Sequence, residues 1–162
     1  MGKTLGLKLS TFRKQFNDFS DEKKIQAFIK KPRKKVLGEA HEFVAMIDVS
    51  AVVTGIVMKD DLIAIDLLLR RPSVNHERSR QLLRQFIQCC DISNTEKIVA
   101  GLNLDGIDLD SSDLDGYFES GDYAFKLAPR NEQIVFGVFN KHNEGAEKLK
   151  EKQWSAFPKT EY

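Results

Sequence analysis

The residues whose types and spacing could do chemistry are few. Counting from Asp108, the side chains at loop positions 1, 3, 5 and 12 are Asp108, Asp110, Ser112 and Glu119, which overlaps a calcium-loop pattern. Position six is Asp113, where that loop needs glycine, and Gly116-Tyr117-Phe118 suggests strand rather than helix. The plainer reading is a turn-rich acidic surface loop whose leucines tuck under the domain. Asp48 and Asp66 both sit among apolar neighbours. They are the one carboxylate pair that could converge, and burial in such a setting raises a carboxyl pKa. Structural pairing, with Thr54 opposite Asp66, is the preferred account.

Other chemistries are weak or excluded. Gly2-Lys3-Thr4 lacks the upstream strand and first glycine of a phosphate-binding loop. No Gly-x-Ser-x-Gly elbow occurs. His41, His76 and His142 have no ligand partner at helical or turn spacing. Cys89 and Cys90 are adjacent, so they do not bridge each other without distortion, and the lack of a disulfide framework suits a reducing compartment. Cys90 falls on an apolar helix stripe and Cys89 at its edge, far from the helix N-terminus that would activate a thiol. The sequence calls for no cofactor.

Lys30, Lys31, Arg33, Lys34 and Lys35 form a basic run around Pro32. Read plainly, it is a solvated loop; read functionally, it is a patch for phosphates, lipid headgroups or an acidic partner. The chain as a whole is nearly neutral, at +1 over 162 residues. Charge is nevertheless segregated: residues 1–35 hold eleven Lys or Arg against three acids, and residues 98–125 hold seven acids with no Lys or Arg. The two regions either pair with each other or form separate surfaces.

These residues must be positioned by the surrounding elements. The longest apolar stretch is Ala51–Met58, then Lys59-Asp60-Asp61, then Leu62–Leu69, which reads as an antiparallel hairpin. With Met58 facing Leu62, one face carries Val57, Gly55, Val53 and Ala51 against Ile63, Ile65, Leu67 and Leu69, all apolar or glycine. The other is mixed, with Thr54 opposite Asp66. A clean face and a mixed face predict an antiparallel sheet with its core on one side. Gly55 makes room for a bulky neighbour or marks a bulge.

Further elements follow from periodicity. Ser10 is read as the cap of a short helix over 11–18, and Ser20 as the cap of a second helix ending before Pro32. A strand spans 42–49, a helix spans about 75–90, and Ser93 with Glu96 suggests a capping box opening a helix over 94–103. Strands 123–127 and 134–139 pair with Leu127 facing Ile134, joined by a loop over 128–133. Lysine- and glutamate-rich residues near 146–152 form at most a weak helix.

The expected fold is therefore a single α+β domain over residues 1–162: an antiparallel sheet of about five strands, with about four helices on one face. Residues 141–162 read as a tail whose Trp154 and Phe157 either dock on the body, the preferred reading, or bind a partner. The mixed sheet face, with Met46, Met58, Leu62 and Leu68 near Asp66, is a dimer or ligand surface. No run of eighteen apolar residues exists. The chain as it stands reads as cytoplasmic, or as exported or lipid-anchored if a signal precedes it. The functional expectation is a non-catalytic binding protein, in size and style like a bacterial one, that recognises a protein partner or a second copy of itself. The alternative is a binder of nucleic acid or anionic membrane using residues 30–35 with Arg78, Arg80 and Arg84. An enzyme with an aspartate-based site ranks third.

Overall fold

The structure, a computed structural model, describes residues 3–71 and 75–143. They form one seven-stranded antiparallel sheet with three α-helices. In chain order the elements are α1 (Leu9–Lys23), β1 (Arg33–Leu37), β2 (Ala40–Asp48), β3 (Ala51–Met58), β4 (Asp61–Arg70), α2 (His76–Cys90), α3 (Thr95–Gly101), β5 (Gly116–Ser120), β6 (Tyr123–Arg130) and β7 (Gln133–Asn140). The strand order is β1-β2-β3-β4-β7-β6-β5, so two meanders meet at the β4–β7 seam.

Alternation along the strands builds the core. Phe43, Val53, Leu67, Phe136 and Leu127 point to one side, where they join buried residues of α1, α2 and α3 in one cluster. Phe12 of α1 meets Phe86 of α2 edge-on at 5.0 Å, Phe86 meets Phe136 at 5.9 Å, and Phe136 stacks on Phe125 at 6.0 Å. These aromatic contacts tie both helices to β6 and β7.

The central hairpin keeps its expected register from Ala51↔Leu69 to Ile56↔Ala64. It departs at the tip. Val57 pairs with Leu62 and Met58 with Asp61, leaving Ile63 as an extra residue in a bulge. The turn is two residues, Lys59-Asp60, with Lys59 at a φ of 58°. Leu62 is consequently turned into the main core and not onto the mixed face. Gly55 does accommodate a bulky neighbour: a Cβ there would stand 2.8 Å from the Phe43 ring.

The expected counts of five strands and four helices are both corrected. In place of two helices, the second ending before Pro32, there is one, α1, closed by Lys24 in the left-handed region, and residues 25–31 are not helical. Ser20 does not cap; its buried hydroxyl donates to the carbonyl of Ala27 and accepts from Gln85 Nε2 at 2.7 Å. Residues after Lys24 return as extended chain, because Asn17 donates to the Ile29 carbonyl at 3.1 Å and accepts the Ile29 N–H at 2.7 Å. Ser10 lies inside α1, not at its cap. The Ser93–Glu96 box does not form either: Ser93 and Asn94 donate to the Asp91 carboxylate, and a 3-10 turn (Ile92–Asn94) precedes α3.

The two additional strands are edges. β5 begins at Gly116 and pairs with β6. β1 runs through the basic segment and pairs with β2 from Arg33↔Val44 to Leu37↔Ala40, closed by Gly38 at a φ of 62°. The β6–β7 pair is longer than expected, reaching Arg130↔Gln133 across a turn at Asn131 and Glu132. Leu127 thus faces Phe136, not Ile134. A slip of two residues preserves which side each chain faces, so the aromatic face survives the correction. Pro129 is tolerated inside β6 because β5 begins opposite Leu127 and leaves that edge without a neighbouring strand.

Candidate functional site

Three places gather the residues that sequence alone singled out. The first is the β1 edge. Arg33, Lys34, Lys35 and Val36 are exposed, and Val36 keeps 69% of its surface. The strand survives its charge because alternate residues still pair with β2, and lysines are a common dressing for a free sheet edge. Lys30 is drawn toward the sheet: its N–H donates to the Met46 carbonyl and its Nζ to the Ile47 carbonyl, each at 2.8 Å. This brings the basic run beside Met46 and the β2–β3 turn, where Val49 is 83% exposed. Phe28, two residues before Lys30, is exposed as well. Among the described residues, Lys31, Arg33 and Lys35 form no ion pair, although Lys35 stands across from Glu42 in the strand register. The expected loop is thus an exposed basic strand rimmed by apolar side chains.

Helix α2 contributes less to this patch than the sequence suggested. Arg78 donates to Asp48 Oδ2 at 2.6 Å and to the Gln26 carbonyl. Arg80 holds the Leu104 and Ile107 carbonyls, and Arg84 pairs with Glu96 and Asp105. Within the acidic stretch, Arg84 pairs with Asp105 and Lys126 with Asp115, so the α2 arginines are engaged away from residues 31–35.

The second place is the loop from Leu104 to Asp115. Leu104, Leu109 and Leu114 are buried, as the turn-rich reading expects. Asp108 and Asp110 flank Leu109 and come together with His76, the first residue of α2. His76 Nε2 lies 2.9 Å from Asp110 Oδ2. Glu119, expected as the twelfth loop ligand, is instead on β5, where its Oε2 accepts the Tyr117 hydroxyl at 2.7 Å. Ser112 is exposed in the loop. His76 escaped the sequence reading because its partners lie more than thirty residues away, beyond any helical or turn spacing.

The third place is Asp66, on the mixed face between Thr54 and Gly137. Its Oδ1 is buried without a hydrogen-bond partner, although part of the residue stays accessible. Burial pushes its carboxyl up to about 7, against the opposing pull of Arg130 and of the Thr54 hydrogen bond. Asp48 does not converge with it. Asp48 closes the end of β2, three pairing positions away, and its carboxyl is displaced the other way. Burial there is outweighed by the Ser50 N–H and hydroxyl, both at 2.8 Å, and by Arg78.

The thiols are inert by placement. Burial pushes the Cys89 thiol up to about 12 and the Cys90 thiol well above its ordinary value. Trp154 and Phe157, and the weak helix near 146–152, lie outside the described residues. No helix among the described residues is long and apolar enough to cross a membrane. The chain matches no protein-family model, no curated protein and no solved structure.

Proposed function

We propose that the protein is a non-catalytic binding protein that takes an acidic, extended segment of a protein partner along β1. The observation that carries this reading is the edge itself. Among the described residues β1 has a neighbouring strand on one side only, and its exposed side chains are basic except for Val36. An added strand gains main-chain hydrogen bonds from such an edge, and alternate side chains set its specificity. Arg33, Lys34 and Lys35 favour acidic residues and disfavour another copy of β1, since like charges brought together repel. Val36, Met46, Val49 and Phe28 offer the apolar contacts that concentrate binding energy in protein interfaces. A purely polyanionic ligand would leave those contacts unused. Arg78, Arg80 and Arg84, which that reading enlisted, already have partners within the chain.

The test uses a fluorescent peptide of alternating glutamate and valine, followed by anisotropy at low salt, with amide spectra of the protein recorded alongside. Saturable binding with amide shifts centred on β1, lost in the Arg33→Glu/Lys35→Glu variant, supports the reading. No binding, or equal binding by the charge-reversed variant, sinks it. Heparin or anionic vesicles bound more tightly than the peptide, without changes in the β1 amides, would replace it with the polyanion reading.

A further inference from the structure

We propose that His76, Asp108 and Asp110 form a binding site for a divalent transition-metal ion of the zinc type. One ligand atom from each side chain lies within 4.8 Å of the other two. Donors held by one ion at about 2 Å stand roughly 3–4 Å apart, so small side-chain adjustments close the set. This is more than a group of acids, because the imidazole arrives from a separate element at the start of α2.

The backbone behind the ligands is held from several directions. Leu109, between the two aspartates, is fully buried. Arg80 fixes the Ile107 carbonyl at 2.6 Å, and Arg71 fixes the Asp110 carbonyl at 2.8 Å. Asn75 caps α2 by accepting the Arg78 N–H at 3.0 Å, which sets the helix end that carries His76. Ligands on so constrained a frame lose little freedom on binding.

The donor set selects the ion. An imidazole with two carboxylates suits zinc and its neighbours better than calcium, which favours six or more oxygens. Three protein ligands leave a position open for water or a further group. Two features oppose a cation: the Arg71 guanidinium at the Asp110 carbonyl and the positive end of the α2 dipole. They place the affinity below that of a closed four-ligand site.

Chelator-treated protein titrated with Zn2+ by calorimetry, with amide spectra alongside, tests the assignment. One equivalent binds with micromolar affinity and shifts the amides of residues 75–77 and 107–111. His76→Ala and Asp108→Asn each weaken binding at least tenfold. Asp108 is exposed, so its variant folds normally and separates loss of ligand from loss of fold. Absence of heat and spectral change at millimolar Zn2+ overturns the site, as does undiminished binding by His76→Ala. An equal response to Ca2+ overturns the transition-metal assignment.

Discussion

Asp60, at the tip of the β3–β4 hairpin, caps helix α1 through Ser10, fifty residues away in the chain. Its Oδ1 accepts the Ser10 N–H at 3.0 Å, its Oδ2 accepts the Ser10 hydroxyl, and its carbonyl accepts the Leu9 N–H at 2.8 Å. The start of α1 and the sheet therefore form as one unit.

Asp60→Ala should destabilise the protein by about 1 kcal/mol, the usual cost of a lost cap. The Ser10 hydroxyl holds the Asp60 carboxyl below the ordinary carboxylate range. A depressed carboxyl stabilises the fold fully above its unfolded value, near ~3.9, and loses that contribution as pH falls through the folded value. Urea midpoints for wild type and Asp60→Ala should differ at neutral pH and draw together as the pH falls below the ordinary carboxylate range. Identical midpoints at neutral pH would count against the cap.

Asp66 carries the opposite sign. Its folded value, raised to about 7 by burial, lies above its unfolded value. Ionisation therefore favours the unfolded chain, and the cost grows from about pH 4 until it levels above pH 7. Its upper bound is about 4 kcal/mol with the pull of Arg130 already included, and relaxation of the site lowers it. Asp66→Asn should be more stable than wild type at pH 8 and no more stable at pH 4, read from denaturant midpoints. A wild type whose advantage over the variant increased with pH would contradict this.

Lys126 is fully buried and donates to Asp115 Oδ1 at 2.5 Å. Removing the acid leaves an ammonium without its partner inside the protein. Asp115→Ala should cost about 3–5 kcal/mol, while adding Lys126→Met should recover most of the loss. Thermal melts of the single and double variants check this; a mild Asp115→Ala defect would mean that the ammonium finds another partner.

Gly55 is closed on both sides. A Cβ there would stand 2.3 Å from the Ala64 carbonyl oxygen and 2.8 Å from the Phe43 ring. Gly55→Ala should cost about 1–3 kcal/mol by overpacking. Gly55→Ala/Phe43→Leu should regain part of that, because the ring is the movable obstacle and the carbonyl is not. Denaturant midpoints of the two variants decide the point.

The sequence carried the parts of this fold that are local or periodic. Alternation assigns the two faces of the central hairpin over Ala51–Ile56 and Ala64–Leu69, because side chains along a strand point to opposite sides. It does not do so at the tip, where the bulge at Ile63 turns Leu62 into the core. Helix α2 was legible from its apolar stripe, whereas its cap, Asn75, was not singled out in the sequence. The leucines of the acidic loop were correctly expected to be buried.

Tertiary structure decided the rest. Basic residues 33–35 lack any apolar alternation; they form a strand because β2 offers an edge and Gly38 makes the turn. The return after α1 depends on Asn17 and Gln85, whose partners lie twelve and sixty-five or more residues away. Ser10 and Ser93 carry cap chemistry, but Asp60 and Asp91 use them differently once the chain is folded. His76 meets Asp108 and Asp110 only because Arg71 and Arg80 hold the loop against the start of α2. Spacing along the chain specifies hydrogen bonds and faces within one element. Which distant side chain supplies the missing donor, acceptor or charge is settled by packing, where every buried polar group must find its partner.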